Sequence, residues 1–146
     1  MKRARIAALI LAGASAVAQA PSETSPPAAT MKQLMVDLIH PASNEILLTV
    51  FRGGPKDGKE WAGLRRSALT LAESGTLLTM WGRALDQGDW QKDAKLLADA
   101  GAAVYKAAQA KDAKALAAVA ERLDASCTAC HRQYRPNVFP REGGSK

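Results

Sequence analysis

The chain is short of the residues that build most metal and redox sites. It has two cysteines and two histidines in 146 residues. Two cysteines cannot make a disulfide framework. A structural zinc site takes four ligands, and nothing near the cysteines completes such a set. The sequence has no phosphate-binding loop, no nucleophile–histidine–acid set and no paired carboxylates in a pocket-like pattern. It is therefore expected not to be an enzyme. The alternating pattern of a strand is also missing, and from Thr30 onward the periodicity is helical.

The apolar run from Ile6 to Val17 is too short to span a bilayer comfortably. Lys2, Arg3 and Arg5 precede it and small residues follow, which is the layout of a secretory signal peptide. Ala16-Val17-Ala18 gives a cleavage site after Ala18. Ala18-Gln19-Ala20 fits the same rule, but Pro21 would follow the cut and suits the peptidase poorly. No cysteine stands there for lipid attachment. The expected division is a signal peptide over 1–18, a Pro/Ser/Thr/Ala-rich flexible lead-in over 19–29, a helical domain over 30–136 and a polar tail over 137–146. Export points to the periplasm, with no stable membrane insertion after cleavage.

Removing the peptide also changes the charge. It holds three of the 20 basic residues and none of the 14 acidic ones, so +6 becomes +3. The high isoelectric point is partly a targeting effect and gives no reason to expect nucleic acid as a partner. Roughly 128 residues remain, enough for one domain with one core.

Near the end of that domain stands Cys127-Thr128-Ala129-Cys130-His131. C-x-x-C-H is the attachment pattern of c-type haem. Two thiols add across the porphyrin vinyl groups, and the histidine supplies an imidazole nitrogen to the iron. On a helix, positions i, i+3 and i+4 share a face, so Cys127, Cys130 and His131 can grip one flat ring from one side. The rival readings are weaker. A C-x-x-C disulfide closes too short a loop to stabilise much by chain entropy. A redox-active pair usually opens a helix, where the dipole lowers the thiol pKa. This pair lies near the end of a helical stretch.

Four helices are expected. Thr30 and Gln33 form a capping box for the first, whose stripe is Met31, Leu34, Met35, Leu38 and Ile39. Pro41 should interrupt or kink it before Ile46, Leu47, Val50 and Phe51 resume, and Gly53-Gly54-Pro55 ends it. The second starts near Asp57 with Glu60 as a further capping box. It places Trp61, Leu64, Ala68, Leu71, Gly75 and Leu78 inward and ends around Trp81-Gly82. The third opens with Asp89 as N-cap and buries Leu97, Ala100, Val104, Ala107 and Ala108. Asp112 caps the fourth after a very short turn, which makes the last two helices antiparallel neighbours. Leu116, Val119, Leu123, Cys127, Cys130, His131 and Tyr134 lie on one stripe of the fourth, so the haem residues are in phase with its core leucines. The fold expected is all-α: an antiparallel four-helix bundle with haem c buried near the C-terminal helix.

The run Cys127-Thr128-Ala129-Cys130-His131-Arg132-Gln133-Tyr134-Arg135 on the last helix of an exported bundle resembles the class II c-type cytochromes, the cytochrome c′ family. The family continues C-x-x-C-H with x-x-Tyr/Phe-Arg/Lys, which this chain matches in full. The resemblance covers about residues 30–136, with the last dozen most diagnostic. It implies one covalent haem c per chain, thioether sites at Cys127 and Cys130, His131 as proximal iron ligand and Arg135 close to the ring or its propionates. Arg135 could otherwise be a solvated arginine that helps the helix C-terminus.

In that family the first helix covers the other face of the iron. An apolar residue there leaves five-coordinate, high-spin iron that binds nitric oxide or carbon monoxide. A methionine gives six-coordinate, low-spin iron suited to electron transfer, its thioether favouring the ferrous state. Met31 and Met35 share a face of this helix, about 6 Å apart along it, so one register alone sets a sulfur over the iron. Met35, deeper in the helix, is the first candidate and Met31 the alternative, against the ordinary role of methionine as core filler. His40 reads as a loop or capping histidine and Met80 as core. The function expected is a periplasmic carrier of one electron between protein redox partners; the alternative is a gas-binding five-coordinate protein. A homodimer is carried over from the family alone.

Overall fold

The computed structural model describes residues 26–137. The expected signal peptide, most of the lead-in and the polar tail from residue 138 lie outside the described residues. Within them are four helices and no strand: α1 (Met31–Phe51), α2 (Gly58–Thr79), α3 (Asp89–Ala110) and α4 (Ala113–Tyr134).

The helix starts are local chemistry. Thr30 Oγ1 accepts from Gln33 N at 3.2 Å while Gln33 Oε1 accepts from Thr30 N at 3.0 Å, a complete capping box. Asp57 accepts from Glu60 N at 2.8 Å, and Asp112 accepts from Ala115 N at 2.9 Å. The return bond of the second cap reaches one residue further out, from Lys56 N to Glu60 Oε2 at 2.7 Å. The N-cap of α3 is Gly88 rather than the expected Asp89. Glycine has no side chain to offer, and Asp86 substitutes: its Oδ1 accepts from Gly88 N at 2.8 Å and from Trp90 N at 3.0 Å. Asp89, one step inside the helix, pairs with Lys92 instead.

Helix α1 departs from expectation in its middle. Pro41 does not break it. The turn before the proline, Leu34–Ile39, widens to π geometry, and His40 N donates to Met35 O, five residues back. Proline has no N–H and its ring crowds the carbonyl four residues earlier; a wide turn accommodates both within a continuous helix. The extra residue shifts the face. Leu34 and Ile39 are buried, but Leu38 of the expected stripe turns outward, as does Phe51 at 88% exposure.

The helices run round a square in chain order, with α1 meeting α2 and α4, and α3 meeting α2 and α4. Neighbours are antiparallel. Gly75 of α2 faces Ala94 and Ala98 of α3, whereas Gly101 faces Ala68 and Ala72, so one helix rises as the other descends. Every residue of the expected inner stripes of α2 and α3 is buried. Leu34, Ile46, Leu64, Leu71, Leu116 and Leu123 are at most 1% exposed. Removing such side chains from water contributes roughly 1.5–3 kcal/mol each.

The link between α2 and α3 is held by Arg83. Its guanidinium is buried and donates to Leu77 O at 3.1 Å and to Ala29 O at 2.8 Å. It satisfies a carbonyl at the end of α2, where a cation also suits the helix dipole, and pins the chain just before α1. Helix α2 stops at Thr79, two residues before Trp81. Trp81 projects into solvent at 77% exposure, while Trp90 is buried at 4%.

Candidate functional site

A cleft of about 360 Å³ opens between α1 and α4, with Leu78 of α2 and Asp93 and Leu97 of α3 at its back. Helix α4 brings Cys127, Cys130, His131 and Arg135 to its wall; α1 brings Met35, Val36, Ile39 and His40. All four haem-side residues expected on α4 thus share one cleft, and Met35 faces them from the opposite helix. Met31 packs partly buried against the core and is not on the cleft wall.

The wide turn explains what α1 presents. In a regular helix, Met35 and His40 would diverge by more than a quarter of a turn. The five-residue hydrogen bond between them returns both to the cleft side. His40, expected as a loop or capping histidine, stands mid-helix on the cleft wall.

Cys127 and Cys130 are not bonded to each other, and both are half-buried. Burial pushes both thiols up. Cys130 reaches about 12, with burial the larger cause and the neighbouring Asp93 carboxylate the next. Each thiol is thus held with its proton. Burial, and then the Arg135 cation one turn on, push His131 below its ordinary value. Its imidazole therefore stays neutral at pH 7, the form that ligates a metal. Among the described residues no group of three or more His, Cys, Asp or Glu side chains could hold a bare metal ion. The donors are instead two thiols in register on one helix face, one neutral imidazole beside them and one thioether opposite. This set, on apolar walls, fits haem c.

Tyr134 locks the last turn of α4 in place. Its phenol donates to Asp86 Oδ2, and its ring meets Trp90 edge-on, centroids 4.9 Å apart at 78°. Trp90 Nε1 in turn donates to Leu78 O at 2.8 Å. Helix α4 has no side-chain cap at its end, only Arg135 N to His131 O at 2.8 Å. The Tyr134–Asp86 bond therefore ties the turn carrying His131 to the start of α3. The phenol first, and then the backbone N–H groups of Trp90, Gly88 and Asp89, lower the Asp86 pKa. A group with a depressed folded pKa stabilises above its unfolded pKa and loses that effect as pH falls through the folded one. Tyr134→Phe is accordingly expected to lower the melting temperature by a few degrees at most at pH 7. The difference from the parent should shrink as pH falls below the ordinary carboxylate range. A deficit independent of pH would assign the loss to ring packing instead.

Two acidic residues of the cleft were not expected from the sequence. Asp93 and Asp124 both line it. Asp93 lies one helical turn beyond Asp89, on a stretch rich in surface charges, and only the fold brings it beside Cys130.

The fold and the cleft define a helical bundle with a C-x-x-C-H helix as one wall, the architecture of class II c-type cytochromes. Residues 73–135 match the family model described as Cytochrome C', which supports a class II c-type cytochrome. The match takes in α3, α4 and the whole haem motif. No curated protein and no solved structure is significantly similar to the chain. The match suggests a haem c protein.

Proposed function

We propose that this cytochrome is an exported electron carrier. Cys127 and Cys130 would hold one haem c covalently, and His131 and Met35 would supply ligands to its iron. The observation that carries the reading is the position of Met35: its side chain lines the same cleft as the two thiols and His131, from the helix opposite. A haem supplies one-electron chemistry at its iron, and a thioether ligand favours the ferrous form. The chain's own part is to seat the ring on apolar walls, keep His131 neutral and bring the sulfur over by the wide turn of α1. Protein redox partners in the periplasm would give and take the electron.

A second reading has its own support. Val36 and Ile39 flank Met35 on the cleft wall, and either could cover the distal face with hydrocarbon and leave the iron five-coordinate for nitric oxide or carbon monoxide. Spectra of the purified holoprotein separate the two. The carrier reading expects a low-spin ferric form with the weak methionine-to-iron charge-transfer band. A high-spin ferric form whose reduced state takes up carbon monoxide readily would replace it with the gas-binding reading. Retention of haem on a denaturing gel tests the covalent link in either case.

A further inference from the structure

We infer that Asp93 is a redox-linked proton acceptor, so that the protein carries a proton along with its electron over part of the pH range. The inference rests on the haem reading above but on neither choice of distal ligand. Asp93 lies on α3 at the back of the cleft that holds Cys127, Cys130 and His131. Its Oδ2 is sealed from solvent and has no hydrogen-bond partner among the described residues. The Cys130 thiol is within hydrogen-bonding reach of the same carboxyl group. A carboxylate in such a place lacks the partners that normally hold it charged.

Attachment of the ring makes this sharper. Once Cys130 is a thioether it has no proton to donate, and Asp93 loses that hydrogen bond. The carboxyl group then sits against a cofactor whose charge changes by one unit with each electron. The other charged and titratable groups around it are few. Asp86 and Asp89 at the start of α3 favour its protonated form, and Lys92 opposes them. From α4 come Asp124, Cys130, His131, Tyr134 and Arg135, and from α1 His40; α2 contributes the apolar Leu78. Burial already raises the Asp93 pKa from its ordinary value.

The coupling has a definite sign. Ferric iron carries one more positive charge than ferrous and favours ionised Asp93, so the carboxyl pKa is lower in the oxidised protein. Between the two values, reduction takes one electron from the redox partner at the iron and one proton from solvent at an Asp93 oxygen. Oxidation returns both. Linkage then requires the midpoint potential to fall with rising pH inside that window and to be flat on either side.

The test is the midpoint potential of the full-length holoprotein against pH, read with small soluble mediators so that no protein partner is needed. The parent is expected to show a falling segment, at its steepest one proton per electron. In Asp93→Asn that segment should vanish, and the potential at its alkaline end should rise because a negative charge is gone. Asp93→Glu should keep the segment with its window moved. Redox difference infrared spectra should show a carboxylic-acid carbonyl band appearing on reduction in the parent and missing in Asp93→Asn. An unchanged falling segment in Asp93→Asn, or a pH-independent parent, overturns the inference. These outcomes are readable whether the ferric iron is low-spin or high-spin, so a failure here is distinct from a failure of the carrier reading. A chain that retains no haem overturns both.

Discussion

Met35→Leu is expected to turn the ferric protein from low-spin to high-spin and to let the ferrous form bind carbon monoxide. The change is chosen because it removes little else. Leucine and methionine have similar volumes, and such swaps in packed positions usually cost under about 1.5 kcal/mol. The sulfur is lost and the hydrocarbon stays. Without the thioether, the ferrous state loses its preferred ligand and the midpoint potential should drop. The drop should be a visible part of the roughly 0.8 V over which axial ligands set haem potentials. Met31→Leu is the matched control. Met31 packs on the core away from the cleft wall, so that variant should keep the parent spectrum. Ferric absorption and electron paramagnetic resonance read both. A low-spin spectrum in Met35→Leu would move the sixth ligand elsewhere. His40, on the same wall through the wide turn, is the next residue to replace.

That turn marks where reading the sequence succeeds and where it stops. The caps at Thr30, Asp57 and Asp112 were legible because each is a contact between residues three apart. The inner stripes of α2 and α3 were legible because both helices keep a regular period over 22 residues each. In α1 the same assumption failed. Pro41 was recognised as a disturbance, but a kink and a wide turn are alternative answers to one steric problem. The wide turn adds a residue, throws Leu38 outward and brings His40 to the cleft. Asp86 escaped notice as a cap because it lies two residues before the N-cap and acts through a loop. Asp93 escaped because its environment is made by another helix. Nothing in the local pattern separates it from the solvated aspartates around it, such as Asp89 and Asp99, which pair with nearby lysines.

The division of the bundle into a tight side and an open side leads to the second large effect. Among the described helices, α2 and α3 share the most extensive contact, while α1 and α4 touch far less across the cleft. The tight side depends on glycine at the points of closest approach. A Cβ added at Gly101 would lie 2.5 Å from Ala72 N and 3.0 Å from Ala68 O. Both are backbone atoms, so neither can swing aside, and the helices would have to separate. Overpacking of this kind costs ~1–3 kcal/mol or more, and a backbone clash belongs at the upper end. Alanine regains about 1 kcal/mol of helix propensity. Gly101→Ala should therefore destabilise by ~2 kcal/mol, lowering the melting temperature by roughly 8 °C in a domain of this size. Gly101→Val should cost more, because its extra methyl groups meet the same backbone and valine recovers less propensity. Gly58 supplies the contrast at the exposed start of α2, where an added Cβ meets nothing within 4 Å. There the same change to alanine should be neutral or slightly stabilising. Thermal unfolding followed by circular dichroism measures all three, and a neutral Gly101→Ala would show that the α2–α3 spacing is not set by this contact. Separation of the helices at Gly101 would also shift Leu97 and Asp93, one and two turns along α3 and both on the cleft. The haem spectrum of Gly101→Ala should thus broaden before the protein unfolds, whereas that of Gly58→Ala should match the parent.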